Sequence, residues 1–207
     1  MSPEEIEALF TRADGSFAFA RWERAIVPVV FGVEEAVLPT IKGALEAVVA
    51  ICGHSIGETD PEIGANFMLF FIREWEDLAG IPRLEEMIPG LEEKIATLAA
   101  AQATQYRAFR FEEAGGIQAC FNFVRMDEAM AELPAEVIAL NAAVQGALLW
   151  SDRAFAQTSP LAELPDEQGT IIRPEIANLL RAAYDAALPV SGRDPILALR
   201  LSARVNA

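Results

Sequence analysis

The stretch Phe67-Met-Leu-Phe-Phe-Ile72 is an uninterrupted apolar run of strand length. A strand that is buried on both faces has this pattern, whereas a strand with one solvated face alternates apolar and polar residues. The run therefore predicts a buried strand within a sheet.

The residues before this run predict two strands, a helix and a connection to the buried strand. Residues 17–22 and 26–31 are two short runs rich in bulky residues, and Gly32 ends the second. Residues 34–51 then place apolar side chains at helical spacing, and Gly53 closes the predicted helix. A strand, a helix and a second strand in this order form an α/β opening.

The remaining chain predicts a hairpin surrounded by helices. Residues 91–106 are rich in alanine and predict a helix. Residues 107–111 and 117–126 flank the turn-forming segment Glu112-Glu-Ala-Gly-Gly116, which predicts a β-hairpin or a pair of edge strands. Three more helices are expected at residues 134–150, 174–187 and 195–204. We expect residues 1–207 to form a single α+β domain.

The composition argues against several classes of partner. The chain has 31 acidic and 16 basic residues, and its net charge of −15 would repel nucleic-acid phosphates and anionic membrane surfaces. No apolar run reaches the roughly eighteen residues of a membrane-spanning helix, and the N-terminal residues lack a secretory signal pattern. Cys52 and Cys120 have apolar neighbours, which predicts buried, reduced thiols. These features together predict a cytoplasmic protein without nucleic-acid or membrane partners.

Several short motifs carry a resemblance to a known fold. They are Arg21-Trp22 followed by Ile26-Val-Pro-Val-Val30, Gly64-Ala-Asn66 before the buried strand, and Leu179-Leu-Arg-Ala-Ala-Tyr184-Asp185. With the order of the predicted elements, they make the chain similar to an uncharacterised bacterial domain-of-unknown-function family with a zincin-like pattern. The zincin fold is that of metallopeptidase catalytic domains. The resemblance implies an α+β fold with a mixed sheet, a backing helix, an active-site-type helix and C-terminal helices.

The segment Leu140-Asn-Ala-Ala-Val-Gln-Gly-Ala-Leu-Leu-Trp-Ser-Asp152 matches the active-site helix under this resemblance. A zincin has the motif H-E-x-x-H here, with two imidazoles on one helical face and a glutamate as general base. Asn141, Ala142 and Gln145 occupy these positions, and Asp152 lies near the place of a third ligand. Two amides and one carboxylate make a weak zinc site. The resemblance therefore implies a cleft lined by Asn141, Gln145 and Asp152, without catalytic residues, metal or other cofactor.

A second candidate metal site surrounds the single histidine of the chain. His54, Glu58 and Asp60 form an H-x3-E-x-D pattern, which could coordinate a metal if the three side chains converged in a loop. A lone histidine after a helix more often interacts with a terminal carbonyl or with the helix dipole. Cys52 is two residues from His54, and residues at this spacing point to different sides of a helix, so a nucleophilic pair is not expected.

Three functional hypotheses follow from these observations. The first is a non-catalytic zincin-like protein, or pseudoenzyme, that binds a peptide or protein partner in the groove beside an edge strand. The second is a metal-dependent hydrolase of unrecognised type that uses His54 and carboxylates. The third is a structural protein that self-associates through an exposed edge strand.

The missing imidazole pair leads to a prediction about metal content. We expect purified protein to contain far less than one zinc ion per chain by elemental analysis. We also expect a chelator to leave the melting temperature unchanged, because removal of a bound metal would lower the stability of the native state by mass action. Stoichiometric, tightly bound zinc would contradict the interpretation of a degenerate site.

Overall fold

A four-stranded mixed sheet lies at the centre of the computed structural model, which describes residues 1–58, 64–165 and 169–206. The strands are β1 (Phe19–Ala20), β2 (Pro28–Phe31), β3 (Phe67–Ile72), β4 (Gln105–Phe111), β5 (Ile117–Arg125), β6 (Leu161–Glu163), β7 (Thr170–Ile172) and β8 (Ser191–Gly192). The α-helices are α1 (Pro3–Phe10), α2 (Leu38–Ile51), α3 (Leu84–Met87), α4 (Leu91–Ala100), α5 (Glu128–Ala131), α6 (Ala135–Ala147), α7 (Pro174–Ala183) and α8 (Ile196–Val205). Short 3-10 helices span Glu35–Val37 and Trp75–Gly80.

The central sheet has the strand order β2-β3-β5-β4. Strands β2, β3 and β5 are parallel, and β4 pairs antiparallel with β5 as the second arm of a hairpin. The other strands form two small sheets, β1 with β8 and β6 with β7. This arrangement confirms the expected α+β class with a mixed sheet.

Strand β3 is covered by helices on both faces, as its apolar sequence predicts. Phe67 and Leu69 point into a core shared with α1, α2, α6, α7 and α8. Phe70 and Ile72 point into a second core, which the Trp75–Gly80 3-10 helix, α3 and α4 cover. The alternation of a strand places neighbouring side chains on opposite faces, so every residue of β3 contributes to one core or the other.

Helix α6 lies closest to the sheet at Gly146. A Cβ atom at this position would overlap the Phe67 ring and would lie 3.1 Å from Asn122 Nδ2. Trp22 Nε1 donates to the Gly146 carbonyl at 2.9 Å, and Tyr184 Oη donates to the Ala147 carbonyl at 2.8 Å. These bonds satisfy two of the carbonyls that the end of a helix leaves unpaired.

Several predicted boundaries are wrong, and each error has a non-local cause. The helix predicted over residues 91–106 ends at Ala100, since Tyr106 belongs to β4 and stacks on Phe123 with ring centroids 6.2 Å apart. The helix predicted over residues 134–150 ends at Ala147, because Leu148 is extended and pairs with Arg21.

The assignment of edge strands also needs correction. Residues 117–126 were expected to be available as an edge strand, but β5 lies between β3 and β4 and is paired on both sides. The open edges of the central sheet are β2 and β4. The strand predicted over residues 17–22 is reduced to β1, which pairs with β8 outside the central sheet.

The helices of the described residues are all too short or too polar to cross a membrane. The longest is α2, which has 14 residues.

The close approach of α6 to β3 leads to a prediction about two helical glycines. We expect Gly146→Ala to lower the free energy of unfolding by about 1–2 kcal/mol, because overpacking against Phe67 outweighs the gain in helix propensity. Gly43→Ala in α2 is the matched control, since a Cβ there meets no atom within 4 Å. We expect this control to raise the stability by about 0.5–1 kcal/mol in urea unfolding. Equal effects of the two substitutions would contradict the packing described for α6.

Candidate functional site

A pocket of about 520 Å³ lies between the edge strand β4 and helix α6. Gln105 and Arg107 line it from β4, and Asn141 and Gln145 line it from α6. The rest of the wall comes from Thr104, Met130, Leu133, Val137, Ile138, Asp152, residues 154–157 and residues 159–161. The pocket therefore combines an apolar wall with a small group of polar side chains, which is the usual composition of a ligand site.

Three amide side chains form a hydrogen-bonded network that links α6 to β4. Gln145 Nε2 donates to Asn141 Oδ1 at 2.7 Å, which is the contact that i, i+4 spacing allows on a helix. Asn141 Nδ2 donates to Gln105 Oε1 at 3.1 Å, and Gln145 Nε2 lies 3.4 Å from the same oxygen. The oxygen atoms of Asn141 and Gln105 thus accept hydrogen bonds within the network. Gln105 takes part only through Oε1, and its Nε2 donates to no atom of the described residues.

Arg107 is the cation of this pocket, and it has no partner among the described residues. Its side chain lies on the same face of β4 as that of Gln105, and the residue directly opposite on β5 is Asn122. The guanidinium forms neither a hydrogen bond nor an ion pair with the residues that the structure describes. Burial lowers the pKa of Arg107 from its usual value, and the nearby Cys120 opposes this shift. An arginine stays charged in a protein, so a half-buried charge is left uncompensated.

Asp152 stands at the rim of the same pocket, beyond the end of α6. Its side chain is exposed, and its Oδ1 accepts a hydrogen bond from the backbone N–H of Ala13 at 3.0 Å. It forms no ion pair with Arg107. The structure therefore places Asn141, Gln145 and Asp152 around one pocket, but Asp152 is held by the loop after α1.

The residues at the H-E-x-x-H positions do not fit a zinc ion. Asn141 and Gln145 offer amide groups that are already hydrogen-bonded to each other and to Gln105, and amides are poor zinc ligands. Ala142 is buried in the core under α6 and does not line the pocket. A glutamate general base at that position would be buried away from the pocket without a partner.

The alternative site around His54 is not assembled in the described residues. A ring nitrogen of His54 lies 2.8 Å from the Arg24 carbonyl, and the ring packs against Tyr184 at 5.3 Å between centroids. Glu58 is exposed, and Asp60 lies outside the described residues. Within the described ranges, no three histidine, cysteine, aspartate or glutamate side chains are grouped to hold a metal.

The thiol next to this histidine is unreactive. Cys52 is buried, and burial raises its pKa to about 12, so the thiolate that a nucleophile requires is not formed near neutral pH.

The outer edge of β4 carries backbone groups beside the pocket that pair with none of the described residues. The backbone N–H of Arg125 donates to the Thr104 carbonyl at 2.8 Å, which identifies these residues as a hydrogen-bonded pair. Pairs alternate along an antiparallel ladder between those that exchange hydrogen bonds and those whose backbone groups point away from each other. The N–H and C=O groups of Gln105, Arg107 and Phe109 therefore point away from β5, towards the side of β4 that has no neighbouring strand.

Sequence analysis did not identify Gln105 and Arg107 as site residues. Gln105 fell within the predicted helix, and Arg107 was the first residue of the predicted strand. The available signal was the alternation in Gln105-Tyr-Arg-Ala-Phe109, which places Gln105 and Arg107 on one face and Tyr106 and Ala108 on the other.

Comparisons of the chain with models of protein families, with characterised proteins and with solved structures found no match.

The unpaired charge in the pocket leads to a prediction about stability. We expect Arg107→Met to leave the free energy of unfolding unchanged or to raise it, because the substitution removes a half-buried charge that has no partner among the described residues. Arg110→Met, on the opposite face of β4, is the control. Its guanidinium donates to the Met87 and Glu86 carbonyls, so its loss should cost about 1 kcal/mol. A larger loss for Arg107→Met than for Arg110→Met in urea unfolding would show that Arg107 has a structural partner.

Proposed function

We propose that this protein is a non-catalytic binding protein of zincin-like fold, and that it binds an extended polypeptide segment along the open edge of β4. The observation that carries the proposal is the row of unpaired backbone groups at Gln105, Arg107 and Phe109, directly beside the pocket. An extended segment that adds to a sheet edge gains backbone hydrogen bonds from such a row. Side-chain pockets beside the edge then supply specificity.

The arrangement of elements supports the zincin-like part of the proposal. Strand β2, the backing helix α2 and the buried strand β3 are followed by the β4–β5 hairpin and then by α6. The hairpin supplies the edge strand, and α6 carries the residues that the resemblance assigns to the active-site helix. The pocket lies between these two elements, where the resemblance implies a substrate cleft.

The chemistry of α6 supports a non-catalytic role. A metallopeptidase needs an open metal position to activate water and a general base beside it. Here Asn141 and Gln145 hydrogen-bond to each other and to Gln105, and Ala142 is buried in the core. The helix therefore retains a binding surface, but it lacks the groups that would activate water.

The same edge favours self-association as a second candidate function. Two copies of the chain could pair through β4, because an open strand edge accepts any strand that can approach it. Phe111 at the end of β4 is 42% exposed and would be covered in such a pair. A net charge of −15 on each copy opposes the association, so we favour a separate polypeptide as the occupant. Light scattering at high and low salt tests whether the chain forms dimers.

Strand addition predicts that blocking the peptide's backbone N–H groups weakens binding only at every second residue. An array of random decapeptides, acetylated and amidated at their ends, is screened for a peptide that binds the protein. That peptide is then resynthesised as a series in which each member carries one backbone N-methyl group at a different position. We expect N-methylation at every second residue to abolish binding, because only alternate N–H groups of the peptide face β4. Fluorescence anisotropy measures the affinity of each peptide.

Two variants of Phe109 provide the matched test on the protein. Phe109→Pro removes an outward-pointing N–H without removing a β4–β5 hydrogen bond, and we expect it to abolish binding. Phe109→Ala loses the side chain but keeps the N–H, so it should still bind the peptide. Binding that tolerates N-methylation at all positions, or that is equal in the two variants, would contradict strand addition.

A further inference from the structure

We propose that the bound segment carries an aspartate or glutamate side chain that inserts into the pocket and pairs with Arg107. This inference rests on the proposed function, because the strand added to β4 delivers the carboxylate. Its basis is a set of donors in the pocket that the described residues do not use.

The charges around the pocket favour an anionic ligand group. Arg107 has no ion pair or hydrogen bond with the described residues, whereas Arg173, which is one of two arginines at the neighbouring groove, donates to the Ser159 carbonyl at 2.8 Å. The carboxylate in the pocket lining, Asp152, is at the exposed rim and accepts from Ala13. A carboxylate beside Arg107 would therefore compensate a half-buried charge that has no partner among the described residues.

A neutral donor lies on the same face of β4 as this cation. Gln105 Oε1 accepts from Asn141 and Gln145, which turns the Nε2 group of Gln105 away from the network. This Nε2 donates to no atom of the described residues. Arg107 and Gln105 therefore both supply N–H donors to the same pocket, and a carboxylate has two oxygens that accept such donors.

The geometry of strand addition places a side chain at this position. Residues directly opposite each other on neighbouring strands have Cβ atoms about 4.5–5.5 Å apart, and their side chains lie on the same face of the sheet. A residue of the added segment that is opposite Arg107 therefore points towards α6 and into the pocket. A lysine or arginine there would face the Arg107 charge, and an apolar side chain would leave that charge buried and unpaired.

The acidic character of the whole chain does not prevent this local recognition. Exposed charges are screened beyond a distance of about 8–10 Å at physiological salt, whereas a pair within a half-buried pocket is screened much less. The net charge of −15 therefore reduces the encounter rate with acidic segments, but it leaves the pairing with Arg107 intact.

Blocked decapeptides that bind in the array provide the probe for this inference. Each acidic residue of a bound peptide is replaced in turn by its amide, Glu by Gln or Asp by Asn, and affinities are measured for wild type, Arg107→Gln and Arg110→Gln. We expect one acidic position at which the amide weakens binding to wild type by about tenfold or more. Arg107→Gln should abolish this difference. Arg110→Gln removes the same charge from the opposite face of β4 and should preserve it.

The possible results separate this inference from the proposed function. If wild type binds peptides along β4 without any acidic preference, the carboxylate assignment is overturned while strand addition survives. An acidic preference that persists in Arg107→Gln overturns the role of Arg107. If binding requires a free C-terminal carboxylate in a parallel set of unblocked peptides, the side-chain source is overturned. If no peptide binds, both proposals fail. Thermal unfolding of each variant confirms that the compared proteins are folded.

Discussion

The contact of α6 with β3 at Gly146 determines where the other elements of the site can lie. Gly146 has no side chain, so the helix backbone rests on the Phe67 ring and beside Asn122. Trp22 and Tyr184 hold the last carbonyls of the helix through hydrogen bonds from their side chains. With its end held in this way, α6 lies over the β4 side of the sheet, and Asn141 and Gln145 are within hydrogen-bonding distance of Gln105.

The pocket follows from the same arrangement. Strand β4 is the last strand of the sheet, and its inner face carries Gln105 and Arg107 in place of the apolar residues that fill the core under β3. The three amides hydrogen-bond to one another: Asn141 both donates and accepts, Gln145 donates, and Gln105 accepts. Arg107 can only donate, and the described residues around it provide no acceptor for its charge. The guanidinium of Arg107 therefore lies in the polar cluster without an acceptor among the described residues.

An uncompensated charge in a pocket is a cost to stability that a binding protein can tolerate. Replacing a buried charge by an apolar group often stabilises a protein, and binding sites commonly retain such groups because the ligand provides the missing partner. The open edge of β4 differs in its cost, since backbone groups that face water are solvated, but it also offers hydrogen bonds that an added strand can use. Both features lie side by side at Arg107, which contributes its backbone to the edge and its side chain to the pocket.

The sequence by itself determined the features that depend on local periodicity. The apolar run of β3, the helix before it and the turn of the β4–β5 hairpin are all visible in short windows, because burial and turn formation select residue types at fixed spacing. Residues four apart lie on the same side of any α-helix, so the spacing of Asn141 and Gln145 places them together on α6. The absence of an imidazole pair at these positions is likewise a property of the sequence alone.

Only the tertiary structure decided which residues meet. The segment up to Tyr106 has helical propensity in isolation, but pairing with β5 and stacking on Phe123 draw its end into β4, and such pairing involves residues distant in the chain. Gln105 is 36 residues from Asn141, so no local pattern indicates their hydrogen bond. The order of strands in the sheet makes β4 an edge strand and leaves Arg107 without a partner among the described residues. That order is set by packing between distant segments, which local periodicity does not encode.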